Sequence, residues 1–207
     1  GVMFFMTQIE TLMFNSAIEM PLSVVGATVA SGALATLVVA VLAVFYRRKL
    51  GPPEPNVTWV DPERNVLKLL LLAIVYVIIY FVFGYFIAWP VPGLRAFYSG
   101  STEIIPFGPH LAGMLLNDIA LPVFQMVRGL MWAGLGYAVI IGLGQTKTWE
   151  RILLVGLFLS VGLATPLLVP NEFMPPIVRA GHFFELLSGN FLFGVLVALF
   201  FKPSERP

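Results

Sequence analysis

Residues 69–89 read LLLLAIVYVIIYFVFGYFIAW, a run without a single charge. At the rise of an α-helix this run is about 31 Å long, the thickness of a bilayer's hydrocarbon core. A helix apolar on every side has no face to show to water. Four further apolar runs of spanning length occupy residues 21–46, 119–144, 152–169 and 180–201. The fold class follows: an all-α, polytopic membrane bundle of five transmembrane helices, forming one transmembrane domain over residues 1–207. Helices are required because peptide groups facing lipid must be satisfied within their own segment. A membrane β-barrel would instead show short segments of alternating polarity.

Composition agrees with this reading. The 207 residues are 58% hydrophobic and 11% charged, where a soluble domain carries about 25% charged residues. The chain has no cysteine, which excludes disulfides, thiolate zinc sites, iron–sulfur clusters and c-type haem attachment. The net charge is +1, and the densest basic cluster is the triplet Arg47, Arg48, Lys49, a topology anchor rather than a nucleic-acid surface. No nucleic-acid partner is expected.

Residues 1–20 lack the basic start of a secretory signal. Gln8, Thr11, Asn15 and Glu19 recur at helical spacing, while Phe5, Ile9, Leu12 and Met13 lie elsewhere on the wheel. This pattern predicts an interfacial helix; the alternative is the end of an earlier span.

Basic residues set the orientation. Arg47, Arg48, Lys49, Arg64, Lys68, Lys147, Arg151, Lys202 and Arg206 fall on one side of the five spans, and only Arg95 and Arg179 on the other. The expected topology is N-out and C-in, in a bacterial-type inner membrane. Residues 47–68 form a proline-rich cytoplasmic loop. Residues 90–118 form an outer loop, read as a polar connector or as one holding a short interfacial or re-entrant helix at 110–116. Asp118 is placed to cap the third span.

Span one is rich in small residues, with Ala27, Ser31 and Ala35 on one row and Gly32, Thr36 and Ala40 on another. Such rows let helix backbones approach closely. They predict packing within the bundle, or a surface for a membrane-protein partner or a second copy. In span four, Pro166 and Pro170 predict a kink.

Spans three and five carry the polar chemistry. Gln125, Arg128 and Trp132 share a stripe on span three; Arg179, His182, Glu185 and Asn190 mark span five, and Asn171 and Glu172 lie in the turn before it. Charged groups inside a span face protein or a water-filled cavity. Counting helical rise back from Lys147 and Lys202 sets Arg128 level with Glu185 and Gln125 level with His182. A direct Arg128–Glu185 pair is therefore expected.

These residues predict an outer-leaflet polar cavity that binds or transports a small polar or lipidic ligand. One alternative is an accessory subunit of a membrane complex. Another is a metal-dependent membrane enzyme using His182 and Glu185, with His110 as a further ligand. No cofactor is expected; a metal at His110, His182 and Glu185, or haem between the two histidines, is the competing possibility. His182 beside Glu185 is also a pair able to exchange a proton between about pH 5 and 8.

Overall fold

The computed structural model describes residues 9–10, 13–14, 18–49, 62–143, 146–170 and 172–201. Most of the expected N-terminal interfacial helix, the proline-rich stretch 50–61, Asn171 and the tail from Lys202 lie outside the described residues. Five helices are long and apolar enough to cross a membrane: Leu22–Leu42, Asn65–Ala88, Ala120–Leu143, Thr148–Leu168 and Pro176–Phe200. No strand occurs among the described residues. The chain divides into two compact units, Gly1–Thr58 and Trp59–Pro207.

The first unit contains helix α1, Leu22–Lys49. Three of its hydroxyls are satisfied locally. Thr28 Oγ1 donates to Val24 O at 2.7 Å, Ser31 Oγ to Thr28 O at 2.9 Å and Thr36 Oγ1 to Gly32 O at 2.7 Å. Back-bonding of this kind lets a hydroxyl sit in an apolar helix without a partner on another helix.

The described residues of the second unit form six α-helices: α2 (Pro62–Phe83), α3 (Pro92–Ser99), α4 (Phe107–Asn117), α5 (Ala120–Leu143), α6 (Thr148–Ala164) and α7 (Pro176–Phe200). The spans begin earlier than their uncharged cores. Helix α2 starts at Pro62 and takes in charged residues that the sequence assigns to a loop, and α7 starts at Pro176. Proline at a first helical position loses no hydrogen bond, so each start is favourable. Asp118 does cap α5: its Oδ1 accepts the Ala120 and Leu121 amides at 3.0 and 3.3 Å.

Helices α6 and α7 form the most extensive pair in the unit. Their backbones touch where Gly156 meets Gly194: a Cβ on Gly194 would lie 2.7 Å from Gly156 Cα and 2.7 Å from Val155 O. Helices α2 and α5 pack next most closely. There, a Cβ on Gly129 would lie 2.5 Å from Tyr76 Cβ and 3.1 Å from Ala73 Cα. Close approach through small residues, expected of span one, is thus found in spans three, four and five. Without a hydrophobic force between helices in lipid, such contacts supply the packing attraction.

Two spans end irregularly at the same end of the unit. Helix α2 passes into a π-helical turn, Gly84–Ala88, closed by Trp89 N–H donating to Gly84 O at 2.8 Å. Helix α6 passes into a 3₁₀ turn at Thr165–Leu168, where Pro166 interrupts the α-helical ladder. The two short helices α3 and α4 lie in the connection that follows the π turn. The 90–118 connection therefore carries two helices: α4, which contains the expected 110–116 segment, and α3. Helix α3 is pinned by Arg95, whose Nε donates to Thr102 O at 2.8 Å and Nη1 to Trp89 O at 2.6 Å. Gly100 ends it at φ 70°, a left-handed position that glycine occupies without strain.

Candidate polar site at the loop end

Helix α3 packs on the first turns of α7. Leu94, Ala88 and Val178 form a small buried core there, flanked by Trp89, Val91, Phe97, Tyr98 and Met174. Two glycines permit the approach. A Cβ on Gly181 would lie 2.9 Å from Leu94 Cδ1, and one on Gly93 would lie 3.0 Å from Ile177 Cγ2. Tyr98 follows Leu94 by one helical turn, so burying Leu94 also turns the tyrosine toward α7.

The result is a three-member hydrogen-bond chain. Tyr98 Oη and His182 Nε2 are 3.0 Å apart, and His182 Nδ1 and Glu185 Oε2 are 2.6 Å apart. An ionised carboxylate only accepts, so Nδ1 carries a proton and donates it to Glu185. In the neutral imidazole Nε2 then accepts from the Tyr98 hydroxyl. Burial is graded along the chain: the His182 side chain is 25% exposed and that of Glu185 6%. The far carboxylate oxygen, Oε1, lies 3.4 Å from where a Cβ on Gly84 would stand. The carboxylate thus rests on the π turn of α2, at a position without a side chain. Single π turns inside helices recur at functional sites.

Gln125 and Arg128 form a second group, buried at 0% and 1% exposure. Arg128 Nη1 donates to Gln125 Oε1 at 3.1 Å. The guanidinium carbon is 5.7 Å from both the Phe124 and the Trp132 ring centroid, one helical turn to either side. Trp132 Nε1 donates in turn to Tyr76 Oη on α2 at 3.1 Å, and Tyr76 meets Phe193 of α7 edge-on at 4.9 Å. This group faces the α2 seam through Gly129.

Helix register corrects the expected depths. A Cβ on Gly136 would lie 2.8 Å from Val197 Cγ1, and α5 and α7 run in the same direction. Stepping back eight residues on each helix sets Arg128 beside Gly189. Glu185 is then about 6 Å, one turn, nearer the loop end. The contacts of Gly129 with Ala73 and Tyr76, and of Glu185 with Gly84, give the same order with a larger offset. Counting from Lys147 ignored that α5 stops at Leu143. The Glu185 carboxylate instead meets His182 on its own helix, Oε2 to Nδ1 at 2.6 Å.

The remaining expected site residues divide. Arg179 closes the end of the 3₁₀ turn: its Nη1 donates to Val169 O at 2.7 Å and to Leu167 O at 3.5 Å. Glu172 is exposed in the turn before α7. Asn190 donates from Nδ2 to Leu186 O at 2.9 Å, and its Oδ1 is buried without a partner. His110 stacks on Trp89 at 4.6 Å and near Tyr85 at 5.5 Å. Burial lowers its pKa below the ordinary histidine value. Among the described residues, no three His, Asp or Glu side chains form a metal-binding group, so the set His110, His182 and Glu185 does not assemble. Tyr98, Tyr76 and Gly84 complete the two groups and were not singled out from the sequence. The signal for Tyr98 was available: Leu94 and Tyr98 stand four residues apart between Pro92 and Gly100, the limits of one short helix.

Comparison of the chain with protein-family models, curated proteins and solved structures finds no match.

Proposed function

We propose that this protein binds a small polar or lipidic ligand at the loop end of its second unit, against Tyr98 and His182. The observation that carries the reading is the Tyr98–His182–Glu185 chain. It runs from a partly exposed loop-helix hydroxyl to a carboxylate buried among helices of membrane-spanning length. A buried polar group in such a setting is costly unless it is satisfied. Here the carboxylate fixes the imidazole, the imidazole fixes the phenol, and the phenol oxygen offers acceptor lone pairs to a ligand. The short helices α3 and α4 and their ring cluster (Tyr85, Trp89, Phe107, His110) supply apolar surface beside these groups.

On this reading the chain is a multi-pass protein of a bacterial-type inner membrane. The nine-to-two distribution of basic residues supports an orientation with the loop end outside. The ligand would enter from that side or from the outer leaflet.

The same order of carboxylate, imidazole and hydroxyl favours a second reading, an enzyme in which His182 takes up the Tyr98 proton as a general base. This reading needs no metal.

The test is a native mass spectrum of the protein released from mild detergent, compared with Tyr98→Phe and His182→Gln. Wild type is expected to retain a discrete ligand mass that both variants lose. An identical set of bound masses in all three proteins would remove the reading.

A further inference from the structure

Four arginine side chains are described in the second unit, and three of them donate to protein oxygens. Arg95 holds two carbonyls, Arg128 holds Gln125 and Arg179 holds two carbonyls. Arg151 is different. Its Nε, like those of Arg128 and Arg179, is buried without a hydrogen-bond partner, but at 2% exposure Arg151 alone of the four makes no hydrogen bond or ion pair with a described residue. A buried guanidinium without an acceptor is one of the costlier arrangements in a protein.

Its position is specific. Arg151 lies in the second turn of α6, a helix of 17 residues. Side chains in a helix lean toward its N-terminus, so this one lies back over the opening turn. That turn has its own unsatisfied donors. The first amides of any helix have no acceptor within it, and only the Lys147 N–H is capped, donating to Glu150 Oε2 at 3.1 Å. Thr146 Oγ1, just before the helix, is also buried without a partner. Two hidden polar side chains without acceptors therefore flank the positive end of a helix dipole.

Register extends the picture. Gly156 meets Gly194 on the antiparallel α7, so stepping back five residues on α6 and forward five on α7 sets Arg151 beside Leu199. Lys68 arrives at the same end, its Nζ 5.4 Å from the centre of the Phe201 ring. Lys147 is exposed, and Trp149 is 61% exposed beside it. A tryptophan so placed at the end of a spanning helix suits the interface of a bilayer.

We propose that Arg151 and the opening turn of α6 form a site for a phosphate-bearing anion, of the kind a phospholipid headgroup presents. The guanidinium offers paired donors to phosphate oxygens, the helix amides and Thr146 offer further donors, and the helix dipole favours the charge. The site lies at the opposite end of the unit from Tyr98 and His182 and does not depend on the function proposed for them.

The experiment uses the full chain in mild detergent. Native mass spectra are recorded with added phosphatidylglycerol, phosphatidylcholine or inorganic phosphate, for wild type, Arg151→Lys and Arg151→Met. Wild type is expected to hold one phosphatidylglycerol at least tenfold more tightly than phosphatidylcholine. Arg151→Met loses that preference and Arg151→Lys keeps part of it. Competition by inorganic phosphate identifies the site as one for the anion itself; no competition identifies it as one for the lipid. Should Arg151→Met not fold, hydrogen exchange on wild type reads the same site. Phosphatidylglycerol is expected to slow exchange of the 147–152 amides, and phosphatidylcholine not. Equal retention of the two lipids, a preference undiminished in Arg151→Met, or unchanged exchange at 147–152 would overturn the proposal.

Discussion

Helices α5 and α7 carry the same polar signature, two groups three residues apart inside a spanning helix, and the structure uses them differently. Gln125 and Arg128 turn to each other, between two aromatic rings, and are sealed at 0% and 1% exposure. His182 and Glu185 also bond within their helix, but the imidazole continues outward to Tyr98 on α3. One group, the closed one, is buried between α5 and α2. The other, the open one, is partly exposed at His182 and Tyr98. The spacing alone does not separate them. The neighbouring element does: a tight glycine seam with α2 in one case, a short helix folded over the span in the other.

The largest effect should come from opening the closed group. Arg128→Met leaves Gln125 Oε1 buried without its donor, and a charge-assisted bond of this kind contributes about 2–3 kcal/mol. Equilibrium unfolding in mixed micelles should show a loss of that size. A loss as small as that of an exposed residue would mean the two groups are not distinct.

Next is Gly129→Ala. Its Cβ would stand 2.5 Å from Tyr76 Cβ and against the α2 backbone, and overpacking of this type costs about 1–3 kcal/mol. Tyr98→Phe should cost less, about 1 kcal/mol for one partly exposed hydrogen bond, while abolishing ligand retention. A Tyr98→Phe protein as unstable as Arg128→Met would show that the open group is structural too. Gly84→Ala should be nearly silent, within about 0.5 kcal/mol, because Glu185 Oε1 at 3.4 Å leaves room for a methyl. The same substitution at two glycines thus reads the tightness of the two seams.

The smallest expected effect concerns pH. Burial depresses the pKa of His110, so the folded state takes up its proton less readily than the unfolded one. The stability linked to this group is complete above the ordinary histidine pKa of about 6.5. It is lost as pH falls through the lowered folded value. Unfolding curves of wild type and His110→Phe should therefore diverge on acidification, with wild type losing more. Parallel curves would mean that His110 titrates as it does in water.

Much of the architecture was legible because the bilayer imposes one length and one backbone solution. The runs at 69–89, 119–144 and 152–169 each overlap one span of the structure, and Asp118 caps α5 as expected, since length, charge and capping chemistry are local properties. Helix α3 was not legible as a separate element. Its eight residues lie in a segment whose prolines and glycines look like a connector, and they are held by Arg95 bonds to carbonyls six and seven residues away. Arg179 misled for the opposite reason: a charge near a polar stripe suggests a ligand, but two carbonyls left free by the 3₁₀ turn claimed it first.

The sequence by itself determined that five segments are long and apolar enough to span a membrane, and that polar groups three residues apart share a helix face. Both are consequences of helical rise and periodicity. Tertiary structure decided the rest. The register of α5 against α7 moved Arg128 away from the level of Glu185, because helix height depends on where glycines allow two backbones to meet. The packing of Leu94 brought Tyr98 to His182, a contact between residues 84 positions apart that no local pattern encodes. Arg151, read in the sequence as one more basic anchor, is 2% exposed in the packed unit, with its Nε unpartnered among the described residues.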